Sequence, residues 1–232
     1  MRPQPVTVAE QLALDDPIGA SLTGFHAGIA QVRGRVRRFE PAVSKFMSIP
    51  ADPTSDDWAS AAALAVSSGA ILFSAQPYEV PEYWPTVTLD LVQMVAEKVG
   101  GAIDPDVVVL GAADVPQMLE LTSTTKPGPF AARTVELGTY VGIRDHGQLV
   151  AMAGERMRVP GWTEISAICT ARSHRGQGLA VRLILTLVGQ IEARGDKAFL
   201  HAAITNTSAI GLYRRLGFRE RRRLVATGLS EI

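Results

Sequence analysis

The chain has 232 residues, of which 47% are apolar and 20% charged, and its 23 basic and 23 acidic residues give a formal net charge of zero. This balance argues against a nucleic-acid partner, because dedicated nucleic-acid binders usually carry a marked basic excess. The single cysteine excludes an intramolecular disulfide, and no Cys/His spacing typical of zinc is present. Without a long apolar run or a signal-peptide pattern, the sequence predicts a soluble, cytoplasmic protein with no membrane partner.

The first hundred residues contain several recognisable elements. We expect a short helix after Asp16 and Pro17, then a partly alternating strand in VRGRVRRF, then a helix capped by Ser55. AILFSA predicts a buried strand. VTLDLVQMVAEKV fits either a strand or a helix, and we favour a strand through Val95.

Charge and turn residues divide the chain near residues 100–105, where GGAIDPD marks a boundary. Residues 1–105 hold 7 basic and 12 acidic side chains, whereas residues 106–232 hold 16 and 11. We therefore predict two units with different roles, over residues 1–105 and residues 106–232. A phosphate-bearing ligand would favour the second, more basic domain.

The second half predicts the element order β-α-β-β-β-α-β-α-β. VVVLG is expected to be a buried strand, and a hairpin is expected to turn at Asp145–Gly147. LAVRLILTLVGQIEAR has its aliphatic residues on one stripe, which predicts an amphipathic helix ending before Gly195. Together these elements predict an α/β fold with a mixed sheet.

The most informative segment is a strand, a polar turn and a helix start in ICTARSHRGQGLAVRLILTL. The unsatisfied N–H groups and positive dipole at a helix start favour phosphate, and two glycines let a diphosphate approach the backbone. A P-loop would need Gly-Lys-Ser/Thr, which is absent. A dinucleotide fingerprint would need Gly or Ala where Val181 stands. The segment therefore predicts a different kind of phosphate site.

Two motifs in this half resemble those of the GNAT acetyltransferase superfamily. Arg175-x-x-Gly178-x-Ala180 is similar to the family's acetyl-CoA loop, and the downstream Asn206-TSAIGL-Tyr213-RRLGF is similar to its N-x-x-A-x-x-L-Y-x-x-L-G-F element. The resemblance covers about residues 106–225. The whole chain also resembles a two-part subgroup, which implies a diverged α/β companion domain over residues 1–105 and a GNAT acetyl-CoA-binding catalytic domain over residues 106–232.

The resemblance implies acetyl-CoA as cosubstrate, without a metal, and assigns a role to each matching position. A bulged central strand would open a cleft for the pantetheine arm, and the loop at the helix start would hold the diphosphate. Asn206 would bond the pantetheine, and Tyr213 would face the thioester sulfur. The expected cofactor-binding residues are Ile168, Cys169, Thr170, Arg175, Gly176, Gln177, Gly178, Leu179, Ala180, Asn206 and Tyr213.

The expected reaction is direct acetyl transfer to a primary amine in a ternary complex. A phenol can protonate the leaving thiolate, which suits Tyr213, and Glu164 is the first candidate base, directly or through water. Glu155 is the second candidate. The acceptor stays open among a small amine, an amino acid, an antibiotic and a peptide N-terminus.

Acceptor choice is expected to depend on the segment near Pro127–Tyr140 and on a groove against the N-terminal half. Within and just before that segment, Thr122, Phe130 and Tyr140 are the side chains of interest. The alternative to an enzyme is a non-catalytic acyl-CoA-binding regulatory module, which would keep the loop without a working acid or base.

Overall fold

The computed structural model describes residues 7–231. Its helices are α1 (Val8–Asp15), α2 (Pro17–Thr23), α3 (Ser55–Ala65), α4 (Val115–Thr125), α5 (Leu179–Ala193) and α6 (Thr207–Leu216). Its strands are β1 (Ala30–Arg33), β2 (Val36–Phe39), β3 (Met47–Ser48), β4 (Ala70–Ser74), β5 (Thr86–Ala96), β6 (Val108–Leu110), β7 (Tyr140–Asp145), β8 (Gln148–Val159), β9 (Trp162–Thr170), β10 (Lys197–Ala203) and β11 (Phe218–Leu229). No helix within these residues is long and apolar enough to cross a bilayer.

Within the described residues, eight strands form one mixed sheet in the spatial order β4-β11-β5-β10-β9-β8-β7-β6. Strands β9 and β10 are parallel, and the other neighbouring pairs are antiparallel. Strands β1, β2 and β3 form a separate small sheet. The elements after residue 106 follow the predicted order, and the predicted mixed α/β fold is confirmed.

Two strands of the large sheet come from the first half of the chain. Strand β5 lies between β10 and β11, and β11 pairs with β4 along its other edge. The predicted boundary at residues 100–105 falls in the loop between β5 and β6. Both halves therefore contribute to one sheet, and the division into two domains stays a prediction.

Alternation along the strands separates two faces of this sheet. The face covered by α5 and α6, called here the helical face, buries the predicted stripe of α5, whose members include Leu183, Leu187 and Ile191. The opposite face, called here the N-terminal face, packs against α1, α2 and Phe46. On β10, Leu200 belongs to the helical face and its neighbour Phe199 to the N-terminal face.

Three elements differ from the sequence prediction. Thr54, not Ser55, caps α3, because its hydroxyl accepts from the Asp57 N–H while the Asp57 carboxylate accepts from the Thr54 N–H. The strand expected in VRGRVRRF is a hairpin of β1 and β2, since Gly34 adopts a φ of 58° between them. Strand β6 is a sheet edge rather than a buried strand, and Val109 is 68% exposed.

Candidate active site

A cleft opens where the parallel strands β9 and β10 separate. Their Cα register pairs Lys197 with Trp162, and the last pair that it contains is Phe199 with Glu164. Beyond this point β9 continues beside β8, and β10 continues beside β5. A cavity of about 880 Å³ is lined by residues of both diverging strands.

A bulge in β9 accompanies this separation. Met152 of β8 pairs with Cys169, whereas Gly154 pairs with Ser166, so β9 holds one residue more than β8 over this stretch. Ala167 lies in the bulge with a φ of 52°, in the left-handed region that L residues rarely occupy. Bulges are common beside active sites because they re-aim the strand. The bulge lies in the strand where the family resemblance places one.

The glycine-rich turn forms the other end of the cavity. Gly176 and Gly178 have φ angles of 78° and 76°. Apart from each glycine and its two chain neighbours, no described residue has a heavy atom within 4 Å of the position that a Cβ would take. Helix α5 begins at Leu179 without a side-chain cap. Open space beside uncapped first-turn amides is the arrangement that admits an anionic group to a helix start. These observations fit the expected diphosphate position.

Most of the predicted site residues lie around this one cavity. The predicted residues that line it are Ile168, Cys169, Thr170, Arg175, Gly176, Gly178, Leu179, Ala180, Asn206 and Tyr213. Gln177 and Glu164 are not part of its lining. Within residues 7–231, no group of three or more His, Cys, Asp or Glu side chains could hold a metal ion.

Tyr213 and Asn206 reach the cavity from α6. The Asn206 side chain accepts the N–H of Ala209 at 3.2 Å, so it caps α6 while lining the cavity. Tyr213 is 7% exposed, and burial raises its pKa to about 12. Its phenol is therefore protonated at neutral pH, which is the state that a proton donor needs.

Cys169 lies on β9 with its side chain turned into the core. The residue is 7% exposed, and burial raises the pKa of its thiol to about 11. The nucleophilic thiolate is therefore scarce at neutral pH. This residue lines the cavity and belongs to the same buried cluster as Met118 and Met152.

Glu164 is fully buried at the closed end of the cleft. Its carboxylate accepts from Arg156 Nε at 2.8 Å and from His201 Nδ1 at 2.7 Å. Burial acts to raise its pKa, but the charges and hydrogen bonds of Arg156 and His201 prevail and lower it to about 2. Arg156 and His201 line the cavity, whereas Glu164 does not. From this position Glu164 could act on a bound amine only through another group, and its role as the base stays a prediction.

His201 is a site residue that the sequence analysis did not select. Its Nε2 atom lies 3.1 Å from the Gln93 amide nitrogen, so it accepts on that side while Nδ1–H donates to Glu164. The strand period offered one signal, because His201 lies two residues after Phe199 and shares its face of β10. Its contact with Glu164 depends on β9 lying beside β10, which the sequence alone does not reveal.

The remaining candidates lie elsewhere. Glu155 accepts from Arg194 at 2.6 Å and lines a smaller cavity of about 310 Å³. Thr122 bonds to a carbonyl of its own helix, and Phe130 packs edge-on against Tyr140 with ring centroids 5.7 Å apart. None of these four side chains lines the large cavity, although residues 125–129 do.

Comparison with known proteins places the chain in a family. The family model described as FR47-like protein matches residues 140–226. A protein of the GNAT acetyltransferase family from Novosphingobium aromaticivorans is 38% identical, with a TM-score of 0.87 over 94% of this chain and 98% of its own. The chain therefore belongs to the GNAT family, and its relatives identify it as an acyltransferase.

More distant structures share the fold. A GCN5-related N-acetyltransferase from Kribbella flavida is 19% identical over 98% of both chains, with a TM-score of 0.59. A GCN5-related N-acetyltransferase-like protein from Streptococcus suis is 15% identical over 85% of both chains, with a TM-score of 0.57. No curated protein matches this chain.

Proposed function

We propose that this protein is an acetyl-CoA-dependent N-acetyltransferase that transfers acetyl to a primary amine by direct attack in a ternary complex. The observation that carries the proposal is the cleft between β9 and β10, which leads from the buried Glu164 end to the glycine turn at the start of α5. Acetyl-CoA needs an extended slot for its pantetheine arm and an anion site for its diphosphate. This cavity offers a place for each.

Donor binding follows from the residues around the slot. The first-turn amides of α5 and the guanidinium of Arg175 would hold the diphosphate, since both favour anions. The β9 backbone from Ile168 to Thr170 would pair with the pantetheine arm, and Asn206 would bond it from the opposite wall. The open space beside Gly176 and Gly178 supports this assignment.

Acetyl transfer forms one N–C bond and breaks one C–S bond. A neutral amine attacks the thioester carbonyl, and a β9 backbone N–H near the bulge at Ala167 would stabilise the oxyanion that develops. The C–S bond then breaks, Tyr213 would give its proton to the thiolate, and the proton that the attacking nitrogen releases would restore the phenol through solvent. Its phenol suits this role because it is protonated at neutral pH and lines the cavity.

Before the attack, an amine that binds as ammonium must lose a proton. We assign that step to His201, with Glu164 as a positioning residue. A carboxylate whose pKa is about 2 is a poor acceptor for a proton from an ammonium of pKa near 10. Glu164 instead fixes the Nδ1–H tautomer of His201, which leaves the lone pair on Nε2. Gln93 is the present partner of Nε2, at 3.1 Å, and would give way to the amine.

The test joins a thermal shift with an activity assay. At one hundred times its dissociation constant, acetyl-CoA adds about 2.7 kcal/mol of stability, which predicts a rise of about 5–10 °C that NADH and ATP do not reproduce. With a panel of primary amines, free CoA thiol should appear in an amine-dependent manner. A shift without amine-dependent thiol release would identify a non-catalytic acyl-CoA-binding module. No shift at millimolar acetyl-CoA would refute the proposal.

A further inference from the structure

The large cavity continues through the sheet onto the N-terminal face. Its wall there is apolar and is built by the segment before β3 and by strands β4, β5 and β11. The side chains that form this apolar wall are Phe46, Ile71, Phe73, Leu89, Leu91 and Ala226. The donor residues described above do not include any of them.

Strand alternation separates this wall from the donor side. Leu91 clusters with Phe73 and Ala226 on the N-terminal face, whereas its neighbour Val92 belongs to the helical-face core with Tyr213. Tyr213 and the turn before α5 therefore lie on the helical-face side of the cavity, and the apolar wall lies on the N-terminal side. Direct attack requires the amine to reach the carbonyl along a path that the pantetheine arm does not fill. The N-terminal side of the cavity, which the donor residues do not line, would provide that path.

Aromatic rings line the approach to His201. The Phe46 and Phe73 ring centroids are 5.1 Å apart, and the Phe73 and His201 ring centroids are 5.0 Å apart, both in edge-on arrangements. A flat or branched apolar group resting on Phe73 would hold an attached amine beside His201. Such contacts gain free energy from burial of apolar area and from ring geometry.

The lack of carboxylates around the cavity argues against polycationic acceptors. Among the described residues that line the cavity, none is Asp or Glu. The guanidinium of Arg156 is bonded to Glu164 and lies 4.5 Å above the centroid of the Phe46 ring. A polyamine or aminoglycoside would bring several positive charges to a surface that offers them no carboxylate.

We infer that the acceptor is a primary amine attached to one aromatic or branched aliphatic group, and that Phe73 and Leu89 select this group. The inference rests on the proposed transferase function. Leu89 is 48% exposed at the rim of the cavity, so it can be replaced without disturbing the core.

The test compares 2-phenylethylamine, ethylamine and spermidine as acceptors with acetyl-CoA. We expect kcat/KM for 2-phenylethylamine to exceed that for ethylamine by about 100-fold, since apolar pockets discriminate by about 10-fold or more per methylene. Leu89→Asp should reduce this ratio at least about 10-fold and improve spermidine relative to 2-phenylethylamine. Val87→Asp is the matched control, because Val87 is an exposed residue of the same strand that does not line the cavity.

Direct binding separates this inference from the transferase proposal. Calorimetry with 2-phenylethylamine on CoA-saturated protein should give binding that Leu89→Asp weakens and Val87→Asp leaves unchanged, whether or not turnover occurs. Equal kcat/KM for the three amines, or binding insensitive to Leu89, would overturn the inference. A preference for octanoyl-CoA over acetyl-CoA that Leu89→Asp abolishes would also overturn it, since the wall would then hold the donor's acyl chain.

Discussion

The Nδ1 atom of His201 lies 2.7 Å from Oε1 of Glu164, and this bond joins β10 to β9 where their backbone pairing ends. Arg156 from β8 holds the same carboxylate from another side. Three strands are thus linked by side chains at the apex of the cleft, and the backbone beyond is left free to diverge. The Glu164 carboxylate lies at the apex of the cleft, behind the Arg156 and His201 side chains that line its cavity.

Glu164→Gln should destabilise the protein by about 3–5 kcal/mol, because it leaves the buried charge of Arg156 without its partner. The control Glu220→Gln breaks an exposed pair with Arg214 and should cost less than about 1 kcal/mol. Urea unfolding of both variants measures the difference. Equal losses would show that the buried pair contributes no more than the surface pair.

The same pair predicts a loss of stability in acid. The pKa of Glu164 falls from an ordinary 4.5 to about 2 on folding, so the unfolded chain takes up this proton first. The stabilisation is fully present above about pH 4.5 and is lost as the pH falls towards 2. Unfolding free energies over this range should show a steeper decline in the wild type than in Glu164→Gln. Parallel curves would contradict the lowered pKa.

His201→Asn should lower kcat at pH 7 while keeping a donor to Glu164. Raising the pH deprotonates the amine in solution, so the variant should regain most of its activity near pH 10 relative to the wild type. His146→Asn is the control, because His146 lies in the exposed hairpin turn. A deficit that persists at high pH would mean that His201 does not serve as proton acceptor.

Tyr213→Phe should reduce kcat about 100-fold, within the range typical of a lost general acid, and should leave the Kd for acetyl-CoA nearly unchanged. The exposed Tyr83 gives the matched substitution Tyr83→Phe, which should not alter turnover. Steady-state kinetics and a CoA titration supply the two readouts. Unchanged turnover in Tyr213→Phe would remove the phenol from the acid role.

Gly178→Ala should raise the Kd for acetyl-CoA at least about 10-fold, because a Cβ would enter the open space beside the diphosphate position. Gly147→Ala is a matched control, since Gly147 also has a positive φ, of 82°, and also faces open space, but in the β7–β8 turn. Both variants should lose about 1 kcal/mol of stability from backbone strain. Equal affinities in the two variants would argue against a diphosphate at Gly178.

The proposed donor side of the site was predictable from the sequence because its determinants are local. Positive-φ glycines, an uncapped helix start and the amphipathic stripe of α5 lie within twenty residues and can be recognised from residue type and spacing. The helix cap at Asn206 and the hairpin turn before Gly147 are local in the same sense.

The proposed acceptor side was not predictable for the opposite reason. Its wall joins Phe46, Phe73, Leu91 and Ala226, which lie far apart in the chain. They meet because β11 pairs with both β4 and β5, and because Phe46 bridges to Ile71 on β4. Strand period assigns a residue to a face, but it does not say which strand lies beside it. The link between Glu164 and His201 escaped prediction for this reason, and so did the shared sheet of the two halves.

Strand β11 lies between β4 and β5, so the last strand described inserts between two of the earliest. During synthesis β4 and β5 emerge long before this partner exists, and their edges stay unpaired until residues 218–229 leave the ribosome. Final assembly of the sheet must therefore follow translation through residue 229. A nascent chain arrested before β11 would expose two strand edges, which makes it a substrate for chaperones and prone to aggregation.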